Sequence, residues 1–151
     1  MIVKKVNRYY CEFCKKANCC ASSIKRHELA CTLNPNRVCN VCLMDHGDYC
    51  QNEFEQAPID ALLAVLPDPR PFQIFDEDEH SEFFYFSNKL TIAVNAALPK
   101  LREISGNCPA CIMAALRQKG IPVPMATDFD FTLEMEEIWS EINNNRNNDY
   151  D

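Results

Sequence analysis

Glycine and histidine are scarce in this chain, which has three of each among its 151 residues. No glycine-rich phosphate-binding loop, no His-Glu-x-x-His motif and no Ser/His/Asp order occurs. No run of eighteen apolar residues is present, so we expect no transmembrane helix. The opening residues, MIVKKVNRYY, have no apolar core of the kind that a secretion signal needs. These absences favour a non-catalytic protein of the cytoplasm, with no membrane contact and no small-molecule substrate.

Cysteine, in contrast, is abundant, with ten copies in the chain. Structural disulfides are rare in a reducing cytoplasm, so the cysteines are better explained as metal ligands. Seven of them and one histidine lie within CEFCKKANCCASSIKRHELACTLNPNRVCNVC, residues 11–42. This density predicts metal binding near the start of the chain.

The first predicted zinc site consists of Cys11, Cys14, His27 and Cys31. A Cys-x-x-Cys turn directs two thiolates at one metal ion. A histidine and a cysteine four residues apart lie on the same face of a helix. Four such ligands form the closed tetrahedral shell of structural zinc.

The intervals between these ligands resemble those of the two-Cys, two-His zinc finger, with a cysteine in place of the last histidine. Residues 9–31 therefore resemble a zinc finger of the Cys-Cys-His-Cys type. The resemblance implies a ββα-like fold for residues 1–37, with Ile24 in its core and Asn18 at a core position that is usually apolar. It also implies that Cys20, Ser23 and Arg26 occupy the positions of the helix that face bases.

The second predicted zinc site joins two distant pairs, Cys39 with Cys42 and Cys108 with Cys111. This arrangement resembles zinc ribbons and treble clefs, in which one pair lies in a knuckle and the other in the first turn of a helix. A local alternative adds His46 and Cys50 to the first pair and is close to a zinc knuckle. A redox role for the second pair would need a preceding strand, whereas a long helix is predicted there. We expect two zinc ions in all, with Cys19 and Cys20 unassigned.

The charge is unevenly distributed along the chain. Residues 1–40 contain eight Lys/Arg and two Asp/Glu, a net charge of +6, and residues 41–151 carry −13. The basic part would attract phosphate and the acidic part would repel it. The predicted nucleic-acid contacts are Arg8, Lys15, Lys16, Ser23, Lys25, Arg26 and Arg37.

The remaining chain predicts a mostly α protein with small metal-bound modules. Residues 38–142 are expected to form a helical domain closed by the second zinc, with helices at 58–66, 108–120 and 131–142. Between them, residues 76–107 are expected to form the main helical core element, with an acidic start and an apolar stripe at helical spacing from Phe83 to Ile104. Pro99 is expected to kink or split that helix. The asparagine-rich residues 143–151 are expected to be disordered.

The layout of HELACTLNPNRVCNVC followed by NCPACIMAALRQKG resembles that of small zinc proteins of bacteriophages and prophages, and this resemblance implies no activity. Two functions stay open. One is an accessory or regulatory protein whose finger contacts nucleic acid or a nucleoprotein complex. The other is a protein-interaction module or inhibitor that binds a host or defence complex through its acidic part.

Overall fold

The computed structural model describes residue 1 and residues 5–45, 56–75 and 83–148. Within these ranges the chain is mostly helical, with six α-helices and two small antiparallel sheets. This confirms the predicted mostly α class. None of the helices in these ranges combines the length and the apolar character needed to cross a bilayer.

The N-terminal module, residues 5–37, consists of a short hairpin followed by a helix. Strand β1 (Tyr9–Tyr10) pairs antiparallel with β2 (Ala17–Asn18), and helix α1 (Ala21–Ala30) follows. The hairpin loop is closed by the Cys11 N–H, which donates to the Lys16 carbonyl at 2.8 Å. The loop thereby brings Cys11 and Cys14 to the side of the helix.

The core of this module is very small. Ile24 is buried together with Cys11 and Cys31, and Leu33 packs partly against them. The predicted core position of Ile24 is confirmed, whereas Asn18 is exposed. The module buries too little apolar surface to be stable by itself. It therefore needs a metal ion that bridges its four ligands.

The helical body, residues 38–148, contains the five other helices. These are α2 (Asn40–Asp45), α3 (Ile59–Val65), α4 (Asn88–Ser105), α5 (Pro109–Lys119) and α6 (Phe131–Asn148). Helices α3, α4 and α5 pack together around fully buried Leu62, Leu101 and Ile112. The predicted helices at 58–66 and 108–120 are confirmed to within a residue or two at their ends.

A second hairpin precedes α4 where the sequence predicted helix. Strand β3 (Gln73–Phe75) pairs antiparallel with β4 (Phe84–Phe86). Helix α4 begins only at Asn88, with the Ser87 hydroxyl accepting the Lys89 N–H. The helical prediction was therefore wrong for Phe83 to Phe86, because a run of aromatic residues favours strand pairing.

Helix α4 continues through Pro99, so the helix is not split there. A proline inside a helix costs about 3 kcal/mol. Leu98 and Leu101, on either side of it, are buried in the core of the body. Burial of two such side chains on the same helix offsets a cost of that size.

Helix α6 extends to Asn148, beyond the predicted boundary at residue 142. The helix thus includes residues 143–148, which were expected to be disordered, and residues 149–151 lie outside the described ranges. Adding a residue to an existing helix requires no new nucleation. Buried Ile142 fixes the preceding turn against the body, and the asparagines continue from it.

The N-terminal module contacts the body through the turn at residues 32–37. The Gln118 amide on α5 donates to the carbonyls of Thr32 and Asn34, at 3.0 and 3.1 Å. Arg117 donates to the Thr32 hydroxyl at 2.9 Å. These bonds join the end of the module to the helix that also begins at Cys108.

Candidate metal centres

The first centre lies inside the N-terminal module. Its ligand atoms all lie within 4.8 Å of one another and come from Cys11, Cys14, His27 and Cys31. The Sγ of Cys14 is 3.0 Å from Nε2 of His27, which makes Nε2 the ring nitrogen directed at the centre. Cys11 and Cys31 are buried, and the other two ligands are half-buried. The predicted group is confirmed and fits a zinc site.

Glu28 links the parts of the module that supply these ligands. Its carboxylate accepts the Glu12 N–H at 3.0 Å, which joins the hairpin loop to α1. Its carbonyl accepts the Asn34 side-chain amide at 2.7 Å and the Cys31 N–H at 3.3 Å. The loop ligands and the helix ligands are thereby held close together.

The second centre lies in the core of the body. The Sγ atoms of Cys39 and Cys108 are 3.6 Å apart, as are those of Cys42 and Cys111. Four sulfur atoms arranged tetrahedrally at about 2.3 Å from Zn²⁺ would be about 3.8 Å apart. All four cysteines are buried, and the spacing fits a second zinc ion.

The pairing across sixty-five intervening residues is therefore confirmed. His46 and Cys50, from the local alternative, lie outside the described residues. The four cysteines complete a tetrahedral ligand set without them.

Each pair of the second centre lies at the start of a helix. Cys39 precedes α2 and its carbonyl accepts the Leu43 N–H at 3.1 Å. Cys108 is the N-cap of α5 and its carbonyl accepts the Ile112 N–H at 3.2 Å. The knuckle expected for the first pair is replaced by a helical turn. The positive end of the α5 dipole also favours the thiolate form of its cysteines.

A tight turn between α4 and α5 positions Cys108. Gly106 and Asn107 both have positive φ, of 60° and 62°. The N–H groups of both residues donate to the Arg102 carbonyl, which satisfies the end of α4. The chain reverses within these two residues and α5 starts at once.

The four clustered thiols interact so strongly that neighbouring pKa values shift in opposite directions. A hydrogen bond with Cys108 holds the pKa of the Cys39 thiol far below its ordinary value. The same neighbour raises the pKa of Cys42. Four buried thiols at this separation cannot all ionise unless a cation compensates their charge, and Zn²⁺ provides that compensation.

Arg37 lies beside the second centre rather than on the surface. It is 7% exposed, and its Nη1 is 4.0 Å from the Sγ of Cys111. Four thiolates around Zn²⁺ leave two excess negative charges, and the Arg37 guanidinium offsets one of them. This burial argues against the predicted contact of Arg37 with nucleic acid, because little of its side chain faces solvent.

Gln56 supports the same centre, and nothing in the sequence indicated it. Its Oε1 accepts the Cys39 N–H at 2.7 Å, and its Nε2 donates to the Arg37 carbonyl at 3.0 Å. One side chain thus fixes the backbone on both sides of Val38. Such outer contacts orient metal ligands.

The other predicted nucleic-acid contacts all lie on the N-terminal module. Ser23 is half-buried, and the exposed members are Arg8, Lys15, Lys16, Lys25 and Arg26. Lys15 adopts a φ of 61° in the hairpin loop and its ammonium donates to the Glu12 carbonyl at 3.0 Å.

Cys19 and Cys20 belong to neither centre and are exposed. Cys20 is the N-cap residue of α1. The Ser22 hydroxyl, 3.1 Å from its sulfur, lowers the pKa of the Cys20 thiol to about 6.

Comparisons of the chain with protein-family models, with curated proteins and with solved structures found no match.

Proposed function

We propose that this chain is a non-catalytic zinc protein whose N-terminal module is a zinc finger that contacts nucleic acid or a nucleoprotein complex. The observation that carries the proposal is the set of six exposed Lys and Arg side chains on a module of about thirty residues. A dense positive surface of this kind attracts the phosphate backbone.

The two acidic residues of the module offset only part of this positive charge. The Glu28 carboxylate already accepts a backbone N–H. Glu12 is the other acidic residue among positions 5–37. The excess positive charge therefore faces solvent on the module, at a distance along the chain from the acidic stretches of the body.

Both centres favour a structural role for the metal. Each offers four protein ligands, which completes a tetrahedral shell around Zn²⁺. Catalytic zinc sites keep one position for water or substrate. A fully ligated ion instead fixes the shape of the module that carries the positive charge.

A salt series tests the proposal on the zinc-loaded protein. The affinity is measured for DNA and RNA of mixed sequence, each as a single strand and as a duplex. This affinity should fall steeply as the salt concentration rises. Replacing Lys25 and Arg26 together by alanine should abolish or severely weaken binding, with the salt slope lowered by up to about two. A matched control replaces Lys89 and Lys100, which are exposed on the body. Failure to bind any of these nucleic acids at about 100 mM salt would contradict the proposal.

A second function is favoured by the β3–β4 hairpin of the body. It exposes large apolar side chains, namely Ile74, Phe75, Phe83, Phe84 and Tyr85. The sequence that connects its strands, residues 76–82, contains five acidic residues. Exposed aromatic clusters mark protein-interaction sites, so this surface favours a protein-interaction module or inhibitor of a host or defence complex.

A comparison of pull-downs from the native host tests this second function. A partner that the wild type retains, and that Phe84→Ser loses while Lys25→Ala/Arg26→Ala keeps, would support it. Identical partners for all three proteins would contradict it. The resemblance to bacteriophage and prophage zinc proteins, and with it a cytoplasmic location in a host, stays a prediction.

A further inference from the structure

The hairpin of the N-terminal module presents aromatic rings to solvent. Tyr9 and Tyr10 form strand β1, and Phe13 follows in the loop between the two metal-binding cysteines. All three side chains are exposed. They are also absent from the buried cluster of the module, which consists of Ile24 and the ligands Cys11 and Cys31. The fold of the module thus leaves these rings uncovered.

Positive side chains bracket the rings along the chain. Arg8 directly precedes Tyr9, and Lys15 and Lys16 follow Phe13 after the second cysteine. All three of these basic residues are exposed. Exposed aromatic rings beside cations are the pattern by which proteins hold single strands, with bases stacked on the rings and phosphates held by the cations.

The helix of the module is poorly equipped to read a duplex. Of the three outward positions that would face bases, only Arg26 carries an exposed side chain suited to base recognition. Ser23 is half-buried, and the sulfur of Cys20 is engaged with the Ser22 hydroxyl at 3.1 Å. A lone finger also covers only about three base pairs.

We infer that the module binds single-stranded nucleic acid in preference to duplex, with unpaired bases stacked on Tyr9, Tyr10 and Phe13. Arg8, Lys15 and Lys16 hold the adjacent phosphates. Splayed bases can reach the rings, whereas paired bases in a duplex offer only their edges. This inference rests on the proposed nucleic-acid function and names the class of strand that the module takes.

The test compares three labelled probes of one mixed sequence, namely a single-stranded DNA, a single-stranded RNA and the DNA duplex. Their binding to the full-length zinc-loaded protein is followed by fluorescence anisotropy at two salt concentrations. We expect both single strands to bind about tenfold or more tightly than the duplex. The ratio between the RNA and the DNA strand shows whether the 2′-hydroxyl contributes.

Ring variants distinguish stacking from simple charge attraction. Tyr10→Ala and Phe13→Ala should each weaken single-strand binding by about 5- to 100-fold, while Tyr10→Phe keeps the ring and the affinity. Tyr85→Ala is the matched control, since Tyr85 is also a strand tyrosine and is 58% exposed against 56% for Tyr10. Zinc content is measured for every variant, and a content equal to that of the wild type shows that the module has kept its ligands in place.

The outcomes test the inference separately from the proposed nucleic-acid function. Tighter single-strand binding that is lost in the ring variants supports the inference. Equal or tighter duplex binding, or ring variants that bind like the wild type, overturns the inference and leaves the proposed nucleic-acid function standing. Binding of none of the three probes overturns that function as well.

Discussion

The two metal centres differ in how far apart their ligands lie along the chain. The first takes all four ligands from residues 11–31, and two of them are half-buried. The second joins residues 39–42 to residues 108–111, and all four of its ligands lie in the main core. A metal bound by neighbouring residues organises a local module. A metal bound across a long loop closes the whole fold, because it removes much of the loop-closure entropy.

The centres also differ in charge. Three thiolates and a neutral histidine leave one excess negative charge around Zn²⁺, whereas four thiolates leave two. The more strongly charged centre is the one buried in the core, and it is also the one with an arginine beside it. Burial of charge requires a partner of opposite sign, and Arg37 supplies it.

Removing one ligand from each centre should give the largest and most unequal effects. Structural zinc contributes about 10–16 kcal/mol in small zinc domains, which is as large as the total stability of an ordinary domain, about 5–15 kcal/mol. Cys108→Ser should therefore abolish cooperative unfolding of the helical body. Cys14→Ser should leave that transition in place, because the four ligands of the first centre lie outside the body.

Circular dichroism during thermal unfolding distinguishes the two variants. Cys19→Ser is the control, since Cys19 is exposed and belongs to neither centre. A melting curve of Cys108→Ser that matches the wild type would show that the second centre does not close the fold.

Replacing Arg37 should weaken only the buried centre. Arg37→Met keeps much of the side-chain length and removes the charge, so zinc affinity of the second centre should fall about 10- to 100-fold. Protons should also displace that zinc at higher pH, because the thiolates lose a stabilising positive charge. Chelator competition measures both effects.

Arg26→Met, on the exposed surface of the module, is the matched control for charge. Arg37→Lys should restore part of the affinity. Equal loss of affinity in Arg26→Met and Arg37→Met would contradict a specific role for the buried guanidinium.

A smaller effect is expected for an ion pair of the body that touches neither centre. Arg102 on α4 contacts Glu134 on α6 through two bonds, of 2.7 and 2.9 Å, and this carboxylate raises the pKa of Arg102. Glu134→Gln should lower the free energy of unfolding by about 1 kcal/mol and leave zinc content unchanged. The exposed pair of Lys100 and Glu103 provides the control, since Glu103→Gln should change stability by less than about 0.5 kcal/mol. Loss of zinc in Glu134→Gln would mean that this ion pair and the second centre are coupled.

The smallest effect concerns a cysteine outside both centres. Because the pKa of Cys20 is lowered to about 6, its thiol is mostly ionised at neutral pH. Alkylation by iodoacetamide should rise with pH through about 6 and then level off. This component should be missing in Cys20→Ser and present in Cys19→Ser. An alkylation rate that rises only in the pH range where ordinary thiols ionise would contradict the effect of the Ser22 hydroxyl.

The ligands of both centres could be predicted from the sequence because their spacing is a chemical requirement. Cys-x-x-Cys, and a histidine four residues before a cysteine, place ligands correctly whatever surrounds them. The helices α3 and α5 could be predicted equally well, since proline and glycine mark their ends. The burial of Ile24 followed from the resemblance to a known finger.

What the sequence did not predict depends on contacts between distant residues. Arg37 was grouped with the surface cations, and only the packing of α5 shows that it lies against Cys111. Gln56 has no local signature for its two bonds to the backbone on either side of Val38. The aromatic run of β4 was mistaken for the start of a helix, because Phe83 and Phe86 happened to match helical spacing.

Metal content per chain tests the central claim most directly. We predict two zinc ions in the wild type, one in Cys14→Ser and one in Cys108→Ser, measured by elemental analysis of purified protein. One zinc in the wild type, or two retained by Cys108→Ser, would contradict two separate centres with the second shared between distant pairs.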